Sequence, residues 1–184
     1  MKRILCCSLW LCLAAVAVHS QHLLVQDEVE SYTKVGQQMP AFSVTTLDGK
    51  QLKIANLKGK VVFVNFWATW CPPCLAEMPR LEKEVWQKYK SSTNFVMVAI
   101  AREQSEQEIT AFRKENDFSF PMAADLKREA YRLFGNGGIP RSYVVGTDGQ
   151  ILYQTVGYDP AEFDQMKRVV EKALAKAATA KEHK

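Results

Sequence analysis

The chain has 184 residues, 47% of them hydrophobic and 24% charged, which is enough apolar material for the core of one globular domain with short tails. The formal net charge of +4 falls to +2 once Lys2 and Arg3 leave with residues 1–20, and no basic stripe is interleaved with aromatics, so a nucleic-acid footprint is excluded. Five cysteines are too few and too unevenly placed for a disulfide scaffold, because three of them, Cys6, Cys7 and Cys12, fall in the first twelve residues.

The N-terminus reads as a signal segment. Lys2 and Arg3 form a charged start, and Ile4 to Val18 is an apolar run of 15 residues broken only by Ser8. Val18-His19-Ser20 then offers small residues at −3 and −1 of a cleavage site. The run is shorter than the roughly 20 residues of a membrane span, and a retained anchor is the alternative. With residues 1–20 removed, the mature chain lies outside the cytoplasm and keeps two cysteines, Cys71 and Cys74.

Residues 21–39 are polar and form a lead-in, and the domain runs from Pro40 to about Ala177. Ala41 to Leu47 alternates as a strand, Asp48-Gly49 is a turn, and Gln51 to Ile54 returns. Val61 to Phe66 is a near-continuous run of strand formers, as expected for a parallel strand buried on both faces. A helix follows to about Lys90, with Leu75, Met78, Leu81, Val85, Trp86 and Tyr89 at helical spacing and Pro79 placed to kink it. Phe95 to Ala101 is a second buried strand, Glu106 to Asn116 a helix, Phe120 to Ala124 a short strand and Lys127 to Phe134 another helix. After the turn Gly135-Asn136-Gly137-Gly138 come a strand over Ser142 to Val145, the turn Asp148-Gly149, a strand over Ile151 to Val156 and a last helix from Pro160 to about Ala177. A charged tail, residues 178–184, is expected to fray. The alternation of strands and helices, ending in a hairpin and a helix, predicts an α/β fold with a mixed sheet and helices on both faces.

Cys71-Pro72-Pro73-Cys74 stands between the first buried strand and its helix. Disulfide exchange needs a thiolate to attack and a second thiol to resolve the mixed disulfide. A cysteine at a helix N-terminus meets the first need, since the helix dipole favours its negative form. A thiol with a pKa near 8.5 is only about 3% ionised at pH 7, and lowering it to about 7 ionises half. Cys71 is therefore read as the nucleophile and Cys74 as the resolver. A zinc site would need four ligands, and the mature chain adds only His22 and His183, near its ends. A purely structural bridge over so short a loop would contribute only ~2 kcal/mol. A peroxidase would need Pro and Thr/Ser where Val64 and Ala68 stand before Cys71.

Phe66-Trp67-Ala68-Thr69-Trp70-Cys71-Pro72-Pro73-Cys74 resembles the active-site signature of the thioredoxin superfamily. With Glu77-Met78-Pro79 following and Gly138-Ile139-Pro140 later, roughly residues 40–175 resemble the TlpA/ResA-like branch of exported reductases. The resemblance implies a thioredoxin-like fold with an N-terminal hairpin over 41–54 and a central helix–strand insertion over 102–126. It implies no cofactor beyond the redox-active Cys71–Cys74 disulfide. It implies protein thiols and disulfides as partners, among them cytochrome c maturation clients, an upstream membrane electron donor, and a monomeric chain. Pro140 matches the family's cis proline, beside which an extended substrate would pair, and Trp70, Pro72 and Ile139 would share that surface. Trp67 is either part of that surface or plain core. Asn65 stands where thioredoxin itself carries a buried acid, and Asn does not titrate. The branch instead places an acid three residues after the second cysteine, here Glu77, one helical turn from Cys74. Pairing of Glu77 with Arg80, or a simple dipole role, is the alternative. Arg141 departs from the small hydroxyl residue usual after the proline and is expected either to favour acidic partners or to be solvated.

These residues point to an extracytoplasmic protein-disulfide reductase. A disulfide oxidant or isomerase of the same fold is the alternative, with a peroxidase or a non-catalytic binding module as the other classes.

Overall fold

The structure, a computed structural model, describes residues 29–182. The expected signal segment, with Cys6, Cys7 and Cys12, lies outside the described residues.

Five strands form the central sheet in the order β5-β4-β3-β6-β7. Strand β3 (Val61–Trp67) is the middle one. It pairs parallel with β4 (Phe95–Arg102) and antiparallel with β6 (Arg141–Val145). Every residue of β3 is buried, which is why its sequence is apolar without alternation. The insertion supplies α3 (Glu106–Glu115) and β5 (Met122–Asp125), and β5 extends the sheet beyond β4 in parallel. On the other side β7 (Ile151–Val156) pairs antiparallel with β6. The N-terminal hairpin, β1 (Ser43–Thr45) and β2 (Gln51–Lys53), forms a separate two-stranded ribbon.

Alternation along β3 divides two cores. Val61, Phe63 and Trp67 face α1 (Pro72–Arg80), α3 and α4 (Pro160–Glu182), together with Met78, Leu81, Ile109, Phe163 and Met166. Val62, Val64 and Phe66 face the hairpin and two 3-10 turns, Ile54–Leu57 and Tyr131–Leu133. Helices thus lie on both faces, the long ones on one and single turns on the other.

Two local expectations change, over Lys127 to Phe134 and at the end of the last helix. Lys127 to Phe134 is not an α-helix. Arg128 takes a left-handed φ of 57°, and the Asp125 carboxylate accepts from the N–H groups of Ala130 and Tyr131 at 3.2 and 2.8 Å. Only the 3-10 turn Tyr131–Leu133 remains, its aromatic ring packed edge-on against Phe66 at 5.5 Å. The helix expected to run through Pro79 to about Lys90 is continuous over residues 72–89. It passes from α1 into π-helical turns (Leu81–Trp86) and a last turn, α2 (Gln87–Tyr89), and such wide turns absorb the hydrogen bond a proline removes. The last helix continues to Glu182 rather than ending near Ala177.

Arg141 is neither solvated nor presented to a partner. It is fully buried on the Phe66 face. Its guanidinium donates to Gly137 O, Gly138 O and Phe134 O in the glycine turn, and to Glu30 O and Ser31 Oγ in the lead-in. The lead-in is thereby strapped to the turn that precedes Pro140. Tyr32 N–H donates to Phe134 O at 2.9 Å, and Ser31 bridges to Gly135. Further on, Gly36 and Gln37 bond the backbone of Ile151 and cover the start of the exposed edge of β7. Gly135 is required by this crowding, because a Cβ there would stand 2.7 Å from Arg141 Cζ and also strike Glu30 O. Gly135→Ala is expected to cost about 1–3 kcal/mol, read as a lower urea midpoint with an unchanged m-value. An unchanged midpoint would mean that the strap yields freely.

Candidate active site

The site forms where β3 hands over to α1. Cys71 is the N-cap of α1, in an extended conformation, and Pro72 and Pro73 occupy the first two helical positions. Neither proline has an N–H, so the first donor of the helix is Cys74 N–H, which points at Cys71 Sγ at 3.3 Å. Cys71 and Cys74 are joined in a disulfide, with an S–S distance of 2.09 Å and Cα atoms 5.3 Å apart. Both are buried, Cys71 at 4% exposure and Cys74 at 1%, so Cys71 is the more accessible sulfur.

Around the disulfide, the residues expected at a substrate surface come together in part. Trp70 is 55% exposed, and Pro72 is exposed beside it. Ile139 is half-buried, and its carbonyl oxygen lies 3.6 Å from Cys71 Sγ, within reach of a thiol proton after reduction. The Ile139-Pro140 bond is cis. Pro140 itself is buried, so what it offers outward is the backbone of Ile139. Tyr131 Oη donates to Gly138 O at 3.0 Å and holds this turn from below. Trp67 is fully buried and belongs to the core, leaving Trp70 as the exposed indole.

Glu77 lies one turn along α1 from Cys74, on the helix face that meets the sheet, and is only 2% exposed. The β3–β6 register pairs Asn65 with Ser142 directly beneath it. Ser142 Oγ donates to Glu77 Oε1 at 3.2 Å, and Asn65 Nδ2 donates to Glu77 Oε2 at 3.0 Å and to Ser142 Oγ at 2.9 Å. Burial pushes the Glu77 carboxyl up to about 7, and the two hydrogen bonds pull the other way without restoring it. Arg80 does not pair with Glu77. It reaches Glu84 at 2.7 Å and Asp164 at 2.7 Å, while Lys167 bridges the same two acids, and this network ties α1 and the turns after it to α4.

Three residues near the site carry no local signal in the sequence. Ser142 reads only as the start of a strand. Gln104, 3% exposed, accepts from Thr69 N–H at 2.8 Å and donates to Thr69 Oγ1 at 2.6 Å, fixing the segment before Cys71. Arg102, at the end of β4, places its guanidinium 5.3 Å from the Trp70 ring centre and 4.8 Å from that of Tyr131. Among the described residues no cluster of His, Cys, Asp and Glu could hold a metal ion. No described helix is long and apolar enough to cross a membrane.

A buried disulfide at a helix start thus lies against a cis proline, with a buried acid behind it. The family model described as Redoxin matches residues 34–174. The chain belongs to the Redoxin family. The thiol-disulfide oxidoreductase ResA of Bacillus cereus is 35% identical over 129 residues, 70% of this chain and 73% of that protein. The thioredoxin-like protein YneN of Bacillus subtilis is 38% identical over 125 residues, 66% of this chain and 71% of that protein. Among solved structures, a thiol:disulfide interchange protein of the thioredoxin family from Chlorobium tepidum TLS superposes with a TM-score of 0.62 at 34% identity, covering 77% of this chain and 98% of that one. Within the Redoxin family the chain is therefore a thiol-disulfide oxidoreductase of the TlpA/ResA-like branch of the thioredoxin superfamily.

Proposed function

We propose that the protein reduces disulfides of exported proteins, with Cys71 as nucleophile, Cys74 as resolver and Glu77 as the proton acceptor for Cys74. The observation that carries this reading is the coordination of Cys71 Sγ. One N–H, that of Cys74, points at it from the helix start, because Pro72 and Pro73 have none to give. A single donor lowers the thiol less than a full set of N–H groups would, which favours a reductant over a strong oxidant.

In the first step the Cys71 thiolate attacks a substrate sulfur. A Cys71–substrate disulfide forms, the substrate S–S bond breaks, and one substrate sulfur leaves as thiolate. In the second step Glu77 takes the Cys74 proton. Cys74 attacks Cys71 Sγ, the internal disulfide closes, and the second substrate thiolate is released. Trp70, Pro72 and the backbone of Ile139, set by Pro140, form the surface that meets the substrate. The domain spans 40–177, preceded by a cleaved signal over 1–20 and a lead-in over 21–39. The signal puts the chemistry outside the cytoplasm, where a membrane electron donor returns the pair to the dithiol and disulfides of cytochrome c maturation clients are candidate substrates.

Cys74→Ser is expected to hold substrate on Cys71 as a mixed disulfide, and mass spectrometry of the trapped partners identifies the clients. The reduction potential gives the direction. A value near about −120 mV, that of a strong oxidant, would reverse it. Failure to reduce insulin with dithiothreitol as electron source would instead favour a binding module.

A further inference from the structure

Strands β3 and β4 run parallel with Trp67 opposite Ala101, so both leave the sheet at the same edge. The segment that leads to Cys71 follows β3, and Arg102 ends β4 beside it. The carboxyl ends of parallel strands are where α/β sheets meet their ligands. The Arg102 side chain is 15% exposed, and its ion pair among the described residues is with its exposed neighbour Glu103, Nε to Oε2 at 3.2 Å. Asp125 is paired with Arg102 in the β4–β5 register but turns its two oxygens to the N–H groups of Ala130 and Tyr131.

Arg102 is held mainly by aromatic rings, that of Trp70 on one side and that of Tyr131 on the other. Rings take a guanidinium by its flat face and leave its N–H edge for an anion. Nε and Nη1 are covered, so Nη2 carries the accessible edge. Both rings belong to the surface around the disulfide. Trp70 is exposed and immediately precedes Cys71. Tyr131 Oη donates to Gly138 O, next to Ile139, whose carbonyl faces Cys71 Sγ. A cation is thus fixed beside the place where a substrate disulfide must lie. Arg128, with its guanidinium 5.1 Å from the same Tyr131 ring centre, adds a second positive charge.

We propose that Arg102 is a specificity-determining residue that receives the carboxylate of an Asp or Glu within two residues of the substrate cysteine, so that protein disulfides with acidic flanks are preferred. The inference rests on Cys71 being the sulfur that the substrate meets. An extended chain advances about 3.3 Å per residue, so a side chain one or two places from that cysteine spans the indole of Trp70 to reach Arg102. The incoming carboxylate replaces that of Glu103, whose exposed ion pair contributes little. No sulfur chemistry changes: the contact adds binding to the first attack, and the bonds made and broken are those already given. A preference for acidic partners, which Arg141 cannot supply from the core, falls to Arg102.

Two peptide disulfides that differ only in Glu or Gln on either side of the cysteine test this with the reduced protein. Each rate constant is divided by that of dithiothreitol with the same peptide, so the intrinsic reactivity of the peptide cancels. The unmodified protein is expected to favour the Glu peptide about fivefold at about 20 mM salt and less at about 0.5 M, where the charges are screened. Arg102→Gln should bring the ratio to about one, Arg102→Glu should reverse it, and Arg102→Lys should keep more than about half of it. A ratio unchanged in these variants would overturn the proposal, because an arginine that only braced the two rings would shift both peptides together. Lys58→Gln removes the same charge at the opposite end of β3, from an exposed side chain. It is expected to leave the ratio as it is, and an equal fall there would overturn the proposal by making net charge the cause. Reduction of both peptides without preference by the unmodified protein would overturn this inference alone. Reduction of neither would overturn the redox reading and the inference with it.

Discussion

Glu77→Gln slows release of substrate from the Cys71 mixed disulfide by about 100-fold, the lower range for loss of a general base, and leaves the first attack within about threefold of the unmodified protein. The two steps separate because Cys71 takes its help from Cys74 N–H, which the substitution does not touch, whereas Cys74 must lose a proton beside a buried side chain. Gln keeps an oxygen that accepts from Asn65, and its amide N–H can donate to Ser142 Oγ once that hydroxyl rotates, so the packing beneath α1 survives and the loss is one of titration. The pH dependence carries the same signature. Burial holds the Glu77 carboxyl at about 7, so in the unmodified protein release speeds up as pH rises through that value and the base form appears. In Glu77→Gln this inflection is gone. Rapid mixing of the reduced protein with a disulfide substrate separates attack from release. Equal slowing of both steps, or an inflection kept in the variant, would remove Glu77 from the proton path.

The same carboxyl links stability to pH in the oxidised state. Its folded value of about 7 lies above the ordinary 4.5, so the folded protein holds the proton more tightly than the unfolded chain does. The stability that Glu77 contributes is full below about pH 4.5 and is lost as pH rises to about 7, with a total of about 3 kcal/mol. Urea unfolding of Glu77→Gln should therefore show a gain over the unmodified protein that grows between pH 4.5 and 8. A constant difference across that range would mean that the carboxyl is not desolvated in the fold.

Arg141→Leu lowers the stability of the oxidised protein by about 4 kcal/mol, in the range for breaking a buried charged group away from its partners. Leucine relieves the desolvation of a guanidinium that forms no ion pair with a carboxylate among the described residues. It leaves Phe134 O, which is buried, and the part-buried Gly137 O, Gly138 O, Glu30 O and Ser31 Oγ without their donor, and an acceptor left unpaired costs about 1–3 kcal/mol where it is buried and less where water reaches it. Arg141→Lys should restore less than half, because one ammonium cannot reproduce a planar fork that spans two segments. The functional effect follows from position. The acceptors in the glycine turn lie immediately before Ile139 and Pro140, so losing them loosens the surface beside Cys71. Activity on a protein disulfide should fall more than activity on a small disulfide that needs no such surface. Full rescue by Lys, or a loss below about 1 kcal/mol, would refute the role of the fork.

Much of this protein can be read without its structure because the governing interactions are local. The buried run Val61–Phe66 is apolar on every residue but Asn65 because β3 is covered on both faces. The spacing of Cys71 and Cys74 across one helical turn sets the redox pair, and Asp48-Gly49 and Asp148-Gly149 mark turns that join antiparallel neighbours. The likeness of Phe66 to Cys74, of Glu77 to Pro79 and of Gly138 to Pro140 to a known family carries the fold, and Asn65, which does not titrate, leaves Glu77 as the candidate acid. Tertiary structure decided what depended on distant partners. Helical periodicity over Lys127 to Phe134 lost to the Asp125 carboxylate and to an Arg128 backbone turned left-handed. Arg141, exposed or partner-seeking by its chemistry alone, became a buried tie because the lead-in, more than a hundred residues away, brought Glu30 and Ser31 to it. Ser142 and Asn65 acquired meaning only when the β3–β6 register set them side by side under Glu77. A sequence pattern reports which face a side chain takes. Desolvation and hydrogen-bond partners, which set the proton affinity of Glu77 and the place of Arg141, depend on what the fold brings against that face.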